Sequence, residues 1–314
     1  MYHKVIVLLD GSALAEEVLP HVAEVVRDRG SHVYLLSVAP LPRGVAPTAV
    51  DVRLPSANVQ ERPGIEQELV DYLRTVAERL APVAADVQIN VRFGRPADEI
   101  LAFVNDVNAD LIAMSTHGRS GIGRWVFGSV ANRVLRGATC PVLLVRAGQT
   151  QPRTSYQRIL VPLDGSELAE QVVPYVRALV QPPQNGESRE VTRVFLVSVM
   201  TTGLADRTVA LLTSYPPGLQ LATTALHHAE AQLQVYLRSV AAALREQGAI
   251  VHIAVRKGQP ADEILAYAAQ VEADLICMTT HGFSGVSRWV YGNVAGRVLQ
   301  GANSPVLLVR PASE

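Results

Sequence analysis

Residues 6–22, IVLLDGSALAEEVLPHV, return as residues 160–176, LVPLDGSELAEQVVPYV. From Asp10 to Asp164 the offset is 154 residues. Further along, GRPADEILAF (from Gly94) returns as GQPADEILAY (from Gly258), now 164 residues on. ADLIAMSTHGRSGIGRWVFGSVANRVL (from Ala109) matches ADLICMTTHGFSGVSRWVYGNVAGRVL (from Ala273) at that same offset of 164, and CPVLLVR and SPVLLVR close the two halves. Roughly two thirds of the positions in this last long stretch are identical, far more than a shared fold alone would give. The chain is a duplicated domain. The join falls in the polar run GQTQPRTSYQ (148–157), giving expected domains over 1–148 and 156–314.

Within each half, strand and helix patterns alternate. In the first, HKVIVLL reads as a buried strand, and Ala13–Arg29 as one helix with Ser12 as its N-cap. HVYLLSV (32–38) is a second strand, followed by a Pro-rich irregular stretch over 40–63. Ile65, Leu69, Tyr72, Leu73, Val76 and Leu80 then share one helical face. VQINVRF (87–93) is the third strand, and Pro96-Ala97-Asp98-Glu99 opens a helix, with proline and carboxylates at its positive end. DLIAMS (110–115), a helix over Ser129–Arg136 and PVLLV (141–145) complete the half. Near-continuous apolar strands separated by helices imply a parallel sheet covered on both faces. The expected fold class is α/β: two tandem doubly wound, five-stranded, Rossmann-like domains.

Composition narrows the function classes. With 314 residues, 48% hydrophobic and 18% charged, and a formal net charge of -1, the chain can bury two ordinary cores. It has no basic stripe to release counterions from nucleic acid. Cys140 and Cys277 occupy non-equivalent places in the two halves, which argues against a repeated metal site or bridge and for a reduced, cytoplasmic protein. The opening MYHKVIVLLDGS lacks the pattern of a secretory leader, and no apolar run reaches bilayer length.

Ligands of such sheets bind beyond the carboxyl ends of the strands, where strand order reverses. Two strand ends carry unusual residues. The first ends in Asp10-Gly11-Ser12, repeated as Asp164-Gly165-Ser166; the fourth runs from Met114 and Ser115 through His117, Gly118, Arg119, Gly121 and Gly123 to Gly128-Ser129. Glycines let backbone N–H groups approach phosphate oxygens, and a helix opening at Gly128-Ser129 aims further N–H groups at the same space. Asp10 suits ribose hydroxyls, and Val38 with Met114 offers an apolar slot for a base. Each feature has a plainer alternative: Asp10 and Ser12 as a helix cap, the glycines as turn residues, Met114 as core, and His117 and His281 as loop organisers. Gly118-x4-Gly123 continues with Arg124-Trp125, so it is not a Walker A loop, and Val126 breaks a dinucleotide fingerprint. No metal, paired-carboxylate or Ser-His-Asp pattern stands at recognisable spacing.

Taken together, the V-x-L-D-G-S start, the G-x-P-A-D-E-I helix entry, the T-H-G-R-S-G loop, the G-S-V helix start and the P-V-L-L-V strand resemble the universal stress protein family in its tandem form, over nearly the whole chain. ATP-binding members carry a G-x-x-G-x9-G-(S/T) loop. Gly118, Gly128 and Ser129 match it, but Ser115 stands at its first glycine; in the second half Gly282 and Gly292 match, with Gly285 the counterpart of Gly121, while Thr279 and Asn293 depart. The resemblance implies ribose contacts from Asp10 and Asp164, each beside its serine (Ser12, Ser166). It implies adenine contacts from Val38 and Met114, and from Val199 and Met278. It further implies pairing through the closing strands, within the chain as a pseudo-dimer or between chains as a homodimer.

The resulting expectation is a stress-response protein with ATP, alone or with Mg2+, as a regulatory ligand, no enzyme beyond a slow ATPase, and the first site the better equipped. The alternative is an interaction module of the same fold that binds no nucleotide, favoured by Ser115, Thr279 and Asn293. The segments 40–63 and 201–223 are expected to order over the ligand.

Overall fold

Val5 to Leu8 are buried without exception, so neither face of the first strand meets water. That is the signature of a parallel sheet layered between helices. The computed structural model describes residues 1–40, 62–116, 128–148, 156–180, 191–201, 216–280 and 292–311. The chain divides into two compact units, Met1–Thr150 and Gln151–Glu314.

In the first unit, β1 (Lys4–Leu8), β2 (His32–Ala39), β3 (Asp86–Phe93), β4 (Leu111–Ser115) and β5 (Val142–Val145) line up in the order β3-β2-β1-β4-β5. The pairings are parallel, with Val5 opposite Val33 on one side and Leu111 on the other. Strand order therefore reverses between β1 and β4. The second unit repeats this with β6 (Arg158–Pro162), β7 (Arg193–Met200), β8 (Ile250–Lys257), β9 (Leu275–Thr279) and β10 (Val306–Val309), in the order β8-β7-β6-β9-β10. Both units have the expected α/β, doubly wound, five-stranded form.

The helices of the first unit are α1 (Ala13–Glu16), α2 (Leu19–Val26), α3 (Arg62–Leu80), α4 (Pro96–Val107) and α5 (Ser129–Gly137). Those of the second are α6 (Glu167–Glu170), α7 (Val173–Leu179), α8 (Pro216–Arg245), α9 (Pro260–Gln270) and α10 (Asn293–Gly301). The single helix expected over Ala13–Arg29 is in fact broken between Glu16 and Leu19. Pro20 explains the break: it has no N–H to give, and its ring would strike the carbonyl of Glu16 four residues back. Pro174 divides α6 from α7 in the same way. Of the helical face read over 65–80, Leu73, Val76 and Leu80 are buried, whereas Ile65 is exposed. Of the segments expected to cover a ligand, residues 41–61 and 202–215 lie outside the described residues, and residues 216–223 belong to α8.

Side-chain clasps hold each unit's layers in register. Asp110 accepts from the main-chain N–H groups of His3 (2.8 Å) and Lys4 (3.1 Å), pinning the start of β1 to β4. Asp274, buried, does the same for Gln157 (2.8 Å) and Arg158 (2.9 Å). The repeated G-x-P-A-D-E motif is also structural. A Cβ on Gly94 would lie 2.7 Å from the Glu99 carboxylate, and one on Gly258 2.8 Å from that of Glu263. Asp98 accepts from Arg133 and Asp262 from Arg297, both at 2.6 Å, tying α4 to α5 and α9 to α10.

Candidate functional site

Each β1-like strand ends in a tight turn that the sequence repeats letter for letter. Gly11 (φ 81°) and Gly165 (φ 86°) take the left-handed conformation that the turn requires. Ser12 then caps α1 by accepting from Ala15 N–H at 3.1 Å, and Ser166 caps α6 from Ala169 N–H at 3.1 Å. Each serine hydroxyl donates in turn to its aspartate: Ser12 to Asp10 Oδ1 and Ser166 to Asp164 Oδ1, both at 2.6 Å. Both serines are thus helix caps. The cap also fixes the aspartates, whose Oδ1 additionally accepts the serine N–H at 3.0 Å.

A tyrosine stands near the aspartate of each turn, and only one of the two, Tyr72, lies on a helical face read from the sequence. The Tyr236 hydroxyl on α8 is pushed above its usual range, first by burial and then by the Glu170 and Asp164 carboxylates. Tyr72 on α3 is raised by burial, Glu16 and Asp10 in the same way. Arg79 pairs with that Glu16 at 2.5 Å. The local pattern Y-L-R, present as Tyr72-Leu73-Arg74 and Tyr236-Leu237-Arg238, was the available signal.

In the second unit, six expected site residues surround one cavity of about 500 Å³: Asp164, Val199, Met278, Thr279, Gly292 and Asn293. It opens at the carboxyl ends of β6, β7 and β9, beside the reversal of strand order. Its lining also includes Val197, Ile264, Pro260, Pro162 and Leu163. Ile264 and Pro260 belong to the G-Q-P-A-D-E-I stretch, which periodicity assigns to a helix start and says nothing more about. Thr201 and Thr280 complete the polar part of the lining and were likewise missed. Ser166, occupied with its cap, is not in the lining.

At the far side of the cavity α10 begins. Gly292 is its N-cap and supplies no side chain, so the first turn, Asn293, Val294 and Ala295, faces the cavity without a cap bond from that residue. Gly292 donates its own N–H to the Thr280 carbonyl at 3.0 Å. The first unit places Asp10 after β1, Val38 near the end of β2, Met114 and Ser115 at the end of β4, and Gly128 and Ser129 at the start of α5. Met114 is buried, Gly128 and Ser129 exposed. His117, Gly118, Arg119, Gly121, Gly282 and Gly285 lie outside the described residues.

Among the described residues no group of three or more His, Cys, Asp or Glu could hold a metal ion. Cys140 and Cys277 are free and buried, and burial pushes the Cys140 thiol up to about 12, well away from a reactive thiolate. No helix among the described residues is long and apolar enough to cross a membrane.

The profile of the universal stress protein family matches residues 1–146 and again 155–310. The chain belongs to the universal stress protein family. It is a tandem, two-domain member. A universal stress protein of Methanocaldococcus jannaschii is 31% identical over 148 residues, covering 46% of this chain and 83% of that relative. One from Mycobacterium tuberculosis is 24% identical over 233 residues, covering 73% of this chain and 72% of the relative. Among solved structures, a universal stress protein from Archaeoglobus fulgidus superimposes with a TM-score of 0.67 at 20% identity, covering 99% of this chain and 97% of that one. At that identity the likeness concerns the fold.

Proposed function

We propose that this universal stress protein binds an adenine nucleotide as a regulatory ligand at the carboxyl ends of its strands. The observation that carries this reading is the cavity of the second unit. There an apolar slot (Val199, Met278), a carboxylate (Asp164) and the open first turn of α10 converge on about 500 Å³, within the range of small-ligand sites. The slot suits a purine, the carboxylate suits ribose hydroxyls, and the helix N-terminus favours negative charge. Asp10, Val38, Met114, Gly128 and Ser129 supply the same chemistry at the same places in the first unit. Mg2+, if carried, would be held chiefly by the phosphates, since Asp164 is the one carboxylate among the described residues of the cavity lining.

Turnover is slow or nil on this proposal. Asp164 is the one carboxylate among the described residues of the cavity lining, and its Oδ1 is already engaged by Ser166, so it is poorly placed to activate water. The buried, free cysteines suit a reducing compartment, in keeping with a cytoplasmic protein.

Mass spectrometry of small molecules released from the purified protein, followed by calorimetric titration with ATP, ADP and AMP, tests the proposal. Saturable binding that is lost when Asp10→Ala and Asp164→Ala are combined supports it. A well-folded chain with no affinity for any adenine compound sinks it, and leaves the family's fold serving here as an interaction module.

A further inference from the structure

The repeat duplicates a buried hydroxyl as well as a turn. Tyr72 and Tyr236 stand 164 residues apart, the offset of the motifs from Gly94 onward. Each is followed by a fully buried leucine, Leu73 or Leu237, which anchors its helix to the core of the unit. Tyr72 lies on α3, which packs on β2 and β3, and Tyr236 on α8, which packs on β7 and β8. In both, the phenol oxygen is shut off from water yet makes no hydrogen bond of good geometry among the described residues. A buried hydroxyl left unmatched is costly, and a native structure keeps one for a reason. The two halves differ at many positions but keep this one.

What surrounds the two oxygens is also alike. Around Tyr236 stand the Glu170 and Asp164 carboxylates and the Gly165 N–H; around Tyr72 stand Glu16, Asp10 and the Arg79 guanidinium. Burial first, then the carboxylates, raise both phenols above their usual range, so each keeps its proton and has an O–H to donate. The serine clasp leaves a task for that donor. Ser166 donates to Asp164 from Oγ (2.6 Å) and from N–H (3.0 Å), and both bonds meet Oδ1. Bonds to a single oxygen fix its place but not the tilt of the carboxylate plane. Tyr236 does not line the cavity, so its hydroxyl acts on a ligand only through the groups beside it.

We infer, on the basis of the nucleotide binding proposed above, that Tyr72 and Tyr236 are positioning residues for Asp10 and Asp164. When a nucleoside meets the aspartate, the phenol O–H donates to that carboxylate and holds its plane towards the ribose hydroxyls. The hydroxyl is unmatched in the empty site and matched in the occupied one. Its contribution therefore appears in the affinity and not in the stability of the ligand-free chain.

That division separates the role from a structural one. Tyr236→Phe removes only the hydroxyl. In a full-length chain whose first site is removed by Asp10→Ala, calorimetric titration with AMP and with ATP reads the second unit alone. There Tyr236→Phe is expected to weaken nucleotide binding about five-fold, the worth of one hydrogen bond. The urea midpoint of the ligand-free protein should stay the same or rise, because an unmatched buried group is gone. With Asp164→Asn also present, Tyr236→Phe should change binding by less than about two-fold, since the charge that the phenol holds has been removed. Tyr72→Phe in a chain carrying Asp164→Ala is the mirror test in the first unit. Unchanged affinity in the phenylalanine variants overturns the inference, as does a five-fold loss that persists beside Asp164→Asn. A urea midpoint that falls in the ligand-free variants shows that the phenols serve the fold, and overturns it too. Binding of neither nucleotide by either parent chain removes the nucleotide proposal itself, and this inference with it.

Discussion

The Ser166 hydroxyl donates to Asp164 Oδ1 at 2.6 Å while accepting the Ala169 N–H at 3.1 Å, so one side chain both caps a helix and holds the carboxylate that borders the cavity. Ser12 stands between Asp10 and Ala15 with the same distances. Helix capping and the ligand contact proposed for Asp164 are therefore not competing roles for this turn. The cap is the means by which the aspartate is aimed.

Ser166→Ala removes both bonds. Loss of the cap should cost about 1 kcal/mol of stability, and the freed carboxylate should weaken nucleoside binding several-fold. Ser166→Thr keeps a hydroxyl at the same place and should stay near wild type on both counts. Urea unfolding and titration calorimetry on the three proteins check this. Equal nucleoside affinity in Ser166→Ala and wild type would show that the serine serves the helix alone.

His21 makes the first unit acid-sensitive. It is buried, and burial lowers its pKa from 6.5 to about 4. The folded state thus holds the neutral ring while the unfolded chain takes up a proton below about pH 6.5. The stability contributed by the neutral ring is fully present above pH 6.5 and is lost as pH falls towards 4, by at most on the order of 3 kcal/mol. The second unit has Tyr175 at the equivalent place. His21→Tyr should flatten the stability profile between pH 6.5 and 4.5 relative to wild type. Denaturant midpoints across that range decide it: parallel profiles would mean that other groups dominate.

Asp274 and Asp110 make equivalent clasps in different surroundings. Asp274 is 5% exposed, and its removal leaves the part-buried N–H groups of Gln157 and Arg158 without this acceptor. Asp274→Ala should cost about 2–3 kcal/mol. Asp110 accepts from N–H groups nearer to water, which can take its place, so Asp110→Ala should cost about 1 kcal/mol or less. Thermal unfolding of both variants gives the ordering, and a larger loss at Asp110 would refute it.

Much of this was legible from the repeat. Two occurrences of Asp-Gly-Ser after an apolar strand, and of Pro-Ala-Asp-Glu at a helix entry, identify elements twice over, because strand and helix patterns depend on neighbours one to four residues away. The break at Glu16–Leu19 was also present, in Pro20, but the surrounding apolar spacing masked it. Ile264 was not legible as a site residue. It lies in a stretch that local pattern assigns only to a helix start, and only the pairing of β6 with β9 and the packing of α9 bring it to the cavity.

By itself, the sequence determined that the chain is a duplicated α/β domain, which residues form its strands and helices, and which few polar groups fall at strand ends. Those are matters of local pattern and of resemblance between the halves. The tertiary structure decided which of those groups share a cavity, and that the Thr280 carbonyl engages the Gly292 N–H at 3.0 Å. That bond joins residues on either side of a loop, and it depends on where β9 ends relative to α10, a distance that no spacing of letters records.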